Sequence, residues 1–279
     1  MDIERKQYLK KQAVEVRRAI IKMIGAYGNG HIGGALSAAD IVTLLYFNEM
    51  DIDPQNPKKI GRDRFVLSKG HAGPVLYAAL ALRGYFNIET LKTLNKPGTS
   101  LPSHCDMLLT PGVDMTAGSL GQGVSCAVGM AKAAKLMGGK ETIYALLGDG
   151  ESQEGQVWEA SMAAAYYRLN NLILFLDYNR LQLDGPLSDV MDIGDPVAKW
   201  KAFGFWVTHV SGHDMVTMND AIMRAKKEAG DRPSMIVLDT VKGKGVPFIE
   251  EMGFANHCIP FPRELMERAL AELDRKAGV

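Results

Sequence analysis

Cysteine is scarce: Cys105, Cys126 and Cys258 are the only three in 279 residues, and no two form a Cys-x-x-Cys pair. An odd, unpaired set makes neither a disulfide framework nor a zinc site, and it suits a reducing, cytoplasmic setting. Net charge is missing as well. The 32 basic and 32 acidic residues cancel, which argues against nucleic acid or a membrane surface as a partner recruited by bulk charge. No stretch approaches the ~18 apolar residues of a membrane span. The opening MDIERKQYLKKQ is charged where a signal peptide needs an apolar run. Internal repeats, low-complexity tracts and linkers are absent too, so a single domain over 1–279 is expected.

What is present is ordinary for a globular chain, at 47% hydrophobic and 23% charged residues. Glycine is the exception, with 29 of 279 residues, about 10% against a usual ~7%. Leu9, Ala13, Val16, Ile20 and Ile24 recur at helical steps and predict an amphipathic helix over 3–25. A Gly-rich turn around His31 follows, then a helix over 37–50 with Ser37 as its N-cap. DRFVLSKGHAG reads as a strand over 64–68 ending at Lys69, Gly70 and His71. Residues 95–117, with Pro97, Pro102 and Pro111, read as a long ordered loop or lid. The clearest unit is strand 142–147, turn GDGESQEG, helix 155–169, strand 172–177: a βαβ crossover with parallel strands. Two further strands, 205–210 and 234–241, flank a helix over 216–229, and a C-terminal helix caps the chain. This alternation predicts an α/β fold, doubly wound, with a mostly parallel sheet and helices on both faces.

In such sheets ligands bind beyond the carboxyl ends of the strands. Two consecutive strands end in Gly148-Asp149-Gly150 and Asp177-Tyr178-Asn179, so Asp149 and Asn179 fall on one sheet edge although 30 residues apart. A carboxylate and an amide oxygen are hard ligands suited to Mg²⁺ or Ca²⁺. GDG by itself is equally a turn signal. GSLGQG (118–123) before an Ala-rich helix offers free N–H groups to a phosphate, or simply permits tight packing.

GDG at 148–150, with 28 residues between Gly150 and Asn179, resembles the motif of thiamine-diphosphate-dependent enzymes. GHIGGALSAADI (30–41), DRFVLSKGHAGPVLYAAL (63–80), PGVDMTAGSLGQGVSCAVGMA (111–131), LQLDGP (181–186) and GKGVPFIEEMGFANH (243–257) are similar, more narrowly, to transketolase. The likeness covers nearly the whole chain in order, but only the N-terminal, diphosphate-binding third of a full-length transketolase. It is strongest to the N-terminal subunit of split transketolases.

That resemblance implies thiamine diphosphate with Mg²⁺, for which Ca²⁺ or Mn²⁺ substitutes. Asp149 and Asn179 would hold the metal through side chains, and Leu181 through its carbonyl. His71, Gly118, Ser119, Leu120, Gly150, Glu154, Asn179 and His257 would line the cofactor. His31, His104 and His257 would contact the sugar and assist proton transfers, and Glu154 and Glu159 would face another subunit. His209 and His213 are assigned no chemistry, whereas Lys242 and Lys244 either face the diphosphate or sit in a solvated loop. The family's glutamate beside the aminopyrimidine comes from a pyrimidine-binding domain, and after His257 only 22 residues remain. A separate C-terminal subunit is therefore implied, in a two-plus-two heterotetramer that moves a two-carbon ketol unit from a ketose phosphate to an aldose. Three positions depart from the pattern. Ile32 and Cys105 stand where the family usually has proline, and Cys258 where it usually has glycine. The α-subunit of a 2-oxo acid dehydrogenase also carries GDG and Asn, but fits DRFVLSKGHA and GHIGGALSAAD badly. A deoxyxylulose-phosphate synthase fragment stays open beside it, as does a non-catalytic regulatory subunit that binds the cofactor.

Overall fold

The structure, a computed structural model, describes residues 1–278. Helical periodicity at the start yields α1 (Ile3–Tyr27), which buries Leu9, Ala13, Val16, Ile20 and Ile24 along one stripe. The Asp2 carboxylate caps it by accepting from the Arg5 amide at 2.7 Å. There follow β1 (Asn29–Gly30), α2 (Ile32–Ser37), α3 (Ala39–Leu44), β2 (Arg64–Leu67) and α4 (Gly73–Arg83). Beyond a long connection come α5 (Gln122–Leu136), β3 (Ile143–Gly148), α6 (Gly155–Tyr166) and β4 (Leu172–Tyr178). The chain ends with α7 (Leu187–Val190), α8 (Pro196–Ala202), β5 (Trp206–Ser211), α9 (Met215–Glu228), β6 (Ser234–Asp239), α10 (Pro247–Glu251), β7 (Ile259–Pro260) and α11 (Arg263–Ala277).

Five strands form one sheet in the order β2-β3-β4-β6-β5, and every neighbouring pair is parallel. The strands β3 and β4 are buried on both faces, as their near-continuous apolar runs IYALL and LILFL require, while the edge strand β5 is only partly covered. Successive residues feed opposite sides. Tyr144, Leu146, Ile173 and Phe175 pack under α1, α3, α4 and α9, while Ile143, Ala145, Leu172 and Leu174 pack under α5, α6 and Trp200 of α8. The step from β3 to β4 and the step from β5 to β6 run in opposite directions across the sheet. Right-handed crossovers therefore put α6 and α9 on opposite faces.

Two local readings change. The helix predicted over 37–50 is broken into α2, α3 and a π-helical turn through Glu49. Ser37 ends α2 and does not cap a helix start: its hydroxyl donates to Asp177 Oδ2 at 2.6 Å, drawn inward by a buried carboxylate. A second, two-stranded antiparallel sheet pairs β1 with β7, joining segments 230 residues apart. Among the described residues no helix is long and apolar enough to cross a membrane.

Candidate active site

A cavity of about 360 Å³ opens at the carboxyl edge of the parallel sheet. Four of the five strands deliver residues to it: β2 runs out into Lys69 and His71, β3 into Asp149 and Gly150, β4 into Asn179 and Leu181, and β6 into Lys242. The β1–β7 pairing adds His31, immediately after β1, and His257, two residues before β7. The long connection between α4 and α5 carries His104 and Gly118 to the remaining wall. That connection is held by the Tyr77 hydroxyl donating to Pro102 O at 2.8 Å, and by the buried Arg62–Asp114 ion pair.

Four imidazoles converge there. The His31 ring lies 5.5 Å from His71, 5.9 Å from His104 and 5.4 Å from His257, centroid to centroid, and His71 lies 4.9 Å from His257. Lys242 Nζ stands 3.2 Å from His257 Nδ1. Burial, with Lys242, His31 and Lys69 adding to it, brings the His257 imidazole down to about 3. Burial first and Lys69 second hold His71 well below its ordinary value, and burial with His104 lowers His31. These three rings are thus neutral at pH 7, each with one nitrogen able to donate and one able to accept.

Beneath the histidines lies a buried polar floor. Lys69 is paired with Asp177, and its ammonium also donates to Gly34 O at 2.9 Å. Asp177 further accepts from the hydroxyls of Ser37 and Thr240. Burial opposes its ionisation, but Lys69 and these hydroxyls hold its carboxyl below the usual range. Asp149 is the converse case: burial, then repulsion from Asp177, pushes it up to about 7. Its two oxygens accept from the amides of Gly150 and Arg180. Asn179 Oδ1 accepts from the Leu181 amide at 3.0 Å. Glu151 ties three elements together, accepting from the Ser68 hydroxyl, from Gly121 N at 2.8 Å and from Gly148 N at 3.0 Å. Gly121 has φ +83° as it turns its amide to that carboxylate ahead of α5, a conformation glycine adopts without strain.

Of the residues singled out by sequence, His31, His71, His104, His257, Gly118, Leu120, Asp149, Gly150, Glu154, Asn179 and Leu181 all line this cavity. Ser119 does not. It lines an adjoining cavity that shares His104 and Gly118 with the first. Glu159 lies outside both, exposed on α6. Lys242 is buried and faces the cavity, while Lys244 lies outside it. The sequence marks neither Lys69 nor Glu151 as a site residue; only their burial beside other charges distinguishes them. Among the described residues no three His, Cys, Asp or Glu side chains cluster with metal-ligand geometry. The oxygen set here is one carboxylate, one amide and one backbone carbonyl.

Residues 9–269 match the family described as transketolase, thiamine diphosphate binding domain. A 6-deoxy-6-sulfo-D-fructose transketolase subunit of Clostridium sp. (strain MSTE9) is 50% identical over 97% of this chain and 98% of its own length. An apulose-4-phosphate transketolase subunit of Phocaeicola vulgatus is 37% identical over 96% of this chain and 94% of its own. Human transketolase is 38% identical over 98% of this chain, which spans 43% of that protein. Among solved structures, transketolase from Leishmania mexicana superposes with a TM-score of 0.89 at 30% identity, over 97% of this chain and 41% of that one. On this agreement of sequence, length and fold, the chain belongs to the transketolase family, as its thiamine diphosphate binding domain.

Proposed function

We propose that this chain, as one domain, is the cofactor- and metal-binding subunit of a split transketolase. With a separate subunit carrying the pyrimidine-binding domain, in a cytosolic two-plus-two heterotetramer, it transfers a two-carbon ketol unit from an acidic ketose to an aldose. The donor carries phosphate or, as in the name of the 50%-identical relative, a sulfonate. The observation that carries the reading is the convergence of four histidines and two lysines on the cavity that holds Asp149, Asn179 and Leu181.

The residues present fit thiamine diphosphate and Mg²⁺. Asp149, Asn179 Oδ1 and Leu181 O are hard oxygen donors of the kind Mg²⁺ takes, with Ca²⁺ or Mn²⁺ as substitutes. Lys242 supplies positive charge toward a diphosphate, while the Lys69 ammonium on the same wall is balanced by Asp177. Space is kept by glycine: a Cβ on Gly34 would stand 3.5 Å from the His71 ring and 3.7 Å from Lys69 Nζ, inside the cradle. Gly118, Leu120 and Gly150 border the same space, and Ser119 the adjoining one. When bound, the cofactor supplies the nucleophilic carbon and the electron sink on which ketol transfer depends.

The chain's own groups orient the sugar and move its protons. His31, His104 and His257 line the cavity, where an imidazole accepts a hydroxyl proton or donates to a carbonyl oxygen. His71, held well below its ordinary value by burial and then by Lys69, lies along the cofactor. Glu154 at the rim and Glu159 on α6 are exposed and face the partner. The test is co-purification with the partner subunit, calorimetry with thiamine diphosphate and Mg²⁺, and a ketol-transfer assay on phospho- and sulfo-ketoses. Metal-dependent binding and transfer by the complex are expected, with no transfer by this chain alone. Turnover by the verified single chain would defeat the split-enzyme reading.

A further inference from the structure

Lys242 is a buried ammonium on a loop, and two of the contacts that fix that loop come from residues that do not line the cavity. The amide of Val241, just before Lys242, donates to His213 Nε2 at 2.9 Å. The carbonyl of Lys244, two residues after it, accepts from Arg17 Nε at 2.9 Å. His213 and Arg17 meet on one carboxylate. His213 Nδ1 stands 2.7 Å from Asp40 Oδ2, and the Arg17 guanidinium makes a two-pronged contact to both Asp40 oxygens at 2.9 and 2.7 Å. Because Nε2 accepts from Val241, the ring proton sits on Nδ1 and is donated to Asp40. The Asp40 and Arg17 side chains are 9% and 7% exposed, so this is a buried pair with its hydrogen bonds satisfied. None of Arg17, Asp40, His213, Val241 or Lys244 lines the active-site cavity.

We propose that His213, anchored by Asp40 and Arg17, is a positioning residue for Lys242: it holds the Val241 amide so that the Lys242 ammonium faces the diphosphate end of the cofactor. The inference rests on the reading of Lys242 as a diphosphate contact. Two other ties hold the loop, Gly243 N to Gly33 O at 3.0 Å and Asn256 Nδ2 to Lys242 O at 3.2 Å. Loss of the His213 contact alone therefore loosens the loop without unfolding it.

Two near-isosteric substitutions separate the two ends of the ring. Asn at 213 places an amide near Nδ1, keeping Asp40 and leaving the Val241 N–H without an acceptor. Gln places its amide oxygen near Nε2, keeping Val241 and giving up Asp40. Calorimetric titration of the partnered complex with thiamine diphosphate in saturating Mg²⁺ should show H213N binding about tenfold more weakly, equivalent to ~1.4 kcal/mol, and H213Q close to wild type. In the full chain alone, hydrogen exchange at the Val241 amide should quicken in H213N and not in H213Q. Wild-type affinity in H213N beside weakened binding in K242A would overturn the positioning role while leaving the cofactor site standing. Equal loss in H213Q and H213N would overturn it too, because a variant that keeps the Val241 acceptor would then do no better than one that lacks it. Wild-type affinity in K242A would remove Lys242 from the diphosphate site, and the positioning role of His213 with it.

Discussion

The Lys69–Asp177 pair offers the sharpest physical test of how the site is built. Lys69 and Asp177 side chains are 3% and 1% exposed. A Lys69→Met substitution keeps the volume and removes the charge. It leaves Asp177 ionised and dry, with the Ser37 and Thr240 hydroxyls as its remaining donors. Stranding one member of a buried pair costs ~3–5 kcal/mol, and two surviving hydrogen bonds place this case at the low end, about 3 kcal/mol. For a chain of this size that corresponds to a fall in melting temperature on the order of 6–12 °C. Adding Asp177→Asn removes the stranded charge while keeping an acceptor for a hydroxyl, so the double variant should recover at least about half of the loss. Lys69 also counters the rise of Asp149, whose carboxyl already sits at about 7 through burial and Asp177. Melting and denaturant unfolding of the three proteins without cofactor are the measurements. Lys69→Met unchanged within about 1 °C, or a double variant no better than the single one, would refute the reasoning.

Asp149→Ala and Asn179→Ala should each abolish Mg²⁺-dependent binding of thiamine diphosphate by the partnered complex with the fold intact; calorimetry reads this, and unchanged affinity removes the residue from the metal site. His31→Ala and His104→Ala should lower kcat by ~10²–10⁴-fold with little change in cofactor affinity, because the contacts proposed for them are to the sugar. The His257 ring, at about 3, should show no imidazole titration by NMR between pH 5 and 8, and a midpoint near 6.5 would contradict the burial argument. Its linkage has a definite sign. The unfolded chain takes up a proton there near 6.5 and the folded chain does not, so this group's contribution weakens as pH falls from about 6.5 toward 3. A His257→Asn variant should lose less stability than wild type over that window.

The βαβ unit was legible because β3 and β4 are apolar on both faces and their ends carry Asp149 and Asn179. The same holds for α1, whose buried stripe is its periodicity made physical. The site was only partly legible, and the reasons are physical. A two-residue ladder such as β1–β7 has no periodicity to detect, yet it brings His257 within 5.4 Å of His31. Charged residues in loops default to solvent, so nothing in KGKG distinguishes Lys242, which is 3% exposed, from Lys244 two positions on. Lys69 and Glu151 follow the same rule. Their partners, Asp177 for one and Ser68, Gly121 and Gly148 for the other, are distant in sequence or reached through backbone amides. Ser37 carries an N-cap signature, but a buried carboxylate competes for its hydroxyl and wins.

The three departures from the family pattern can be weighed by where they sit. Ile32 is fully buried and Cys105 is 1% exposed, while Cys258 is exposed with its thiol 3.3 Å from Asn29 Oδ1. None of the three lines the active-site cavity, although each directly follows a histidine that does. Their side chains are therefore not part of the cavity wall. Their effect runs through the backbone: proline fixes φ near −65° and has no N–H, whereas Ile32 and Cys105 free φ and restore a donor. Any influence of Ile32 and Cys105 on His31 and His104 therefore passes through the main chain that carries those rings, not through the cavity wall.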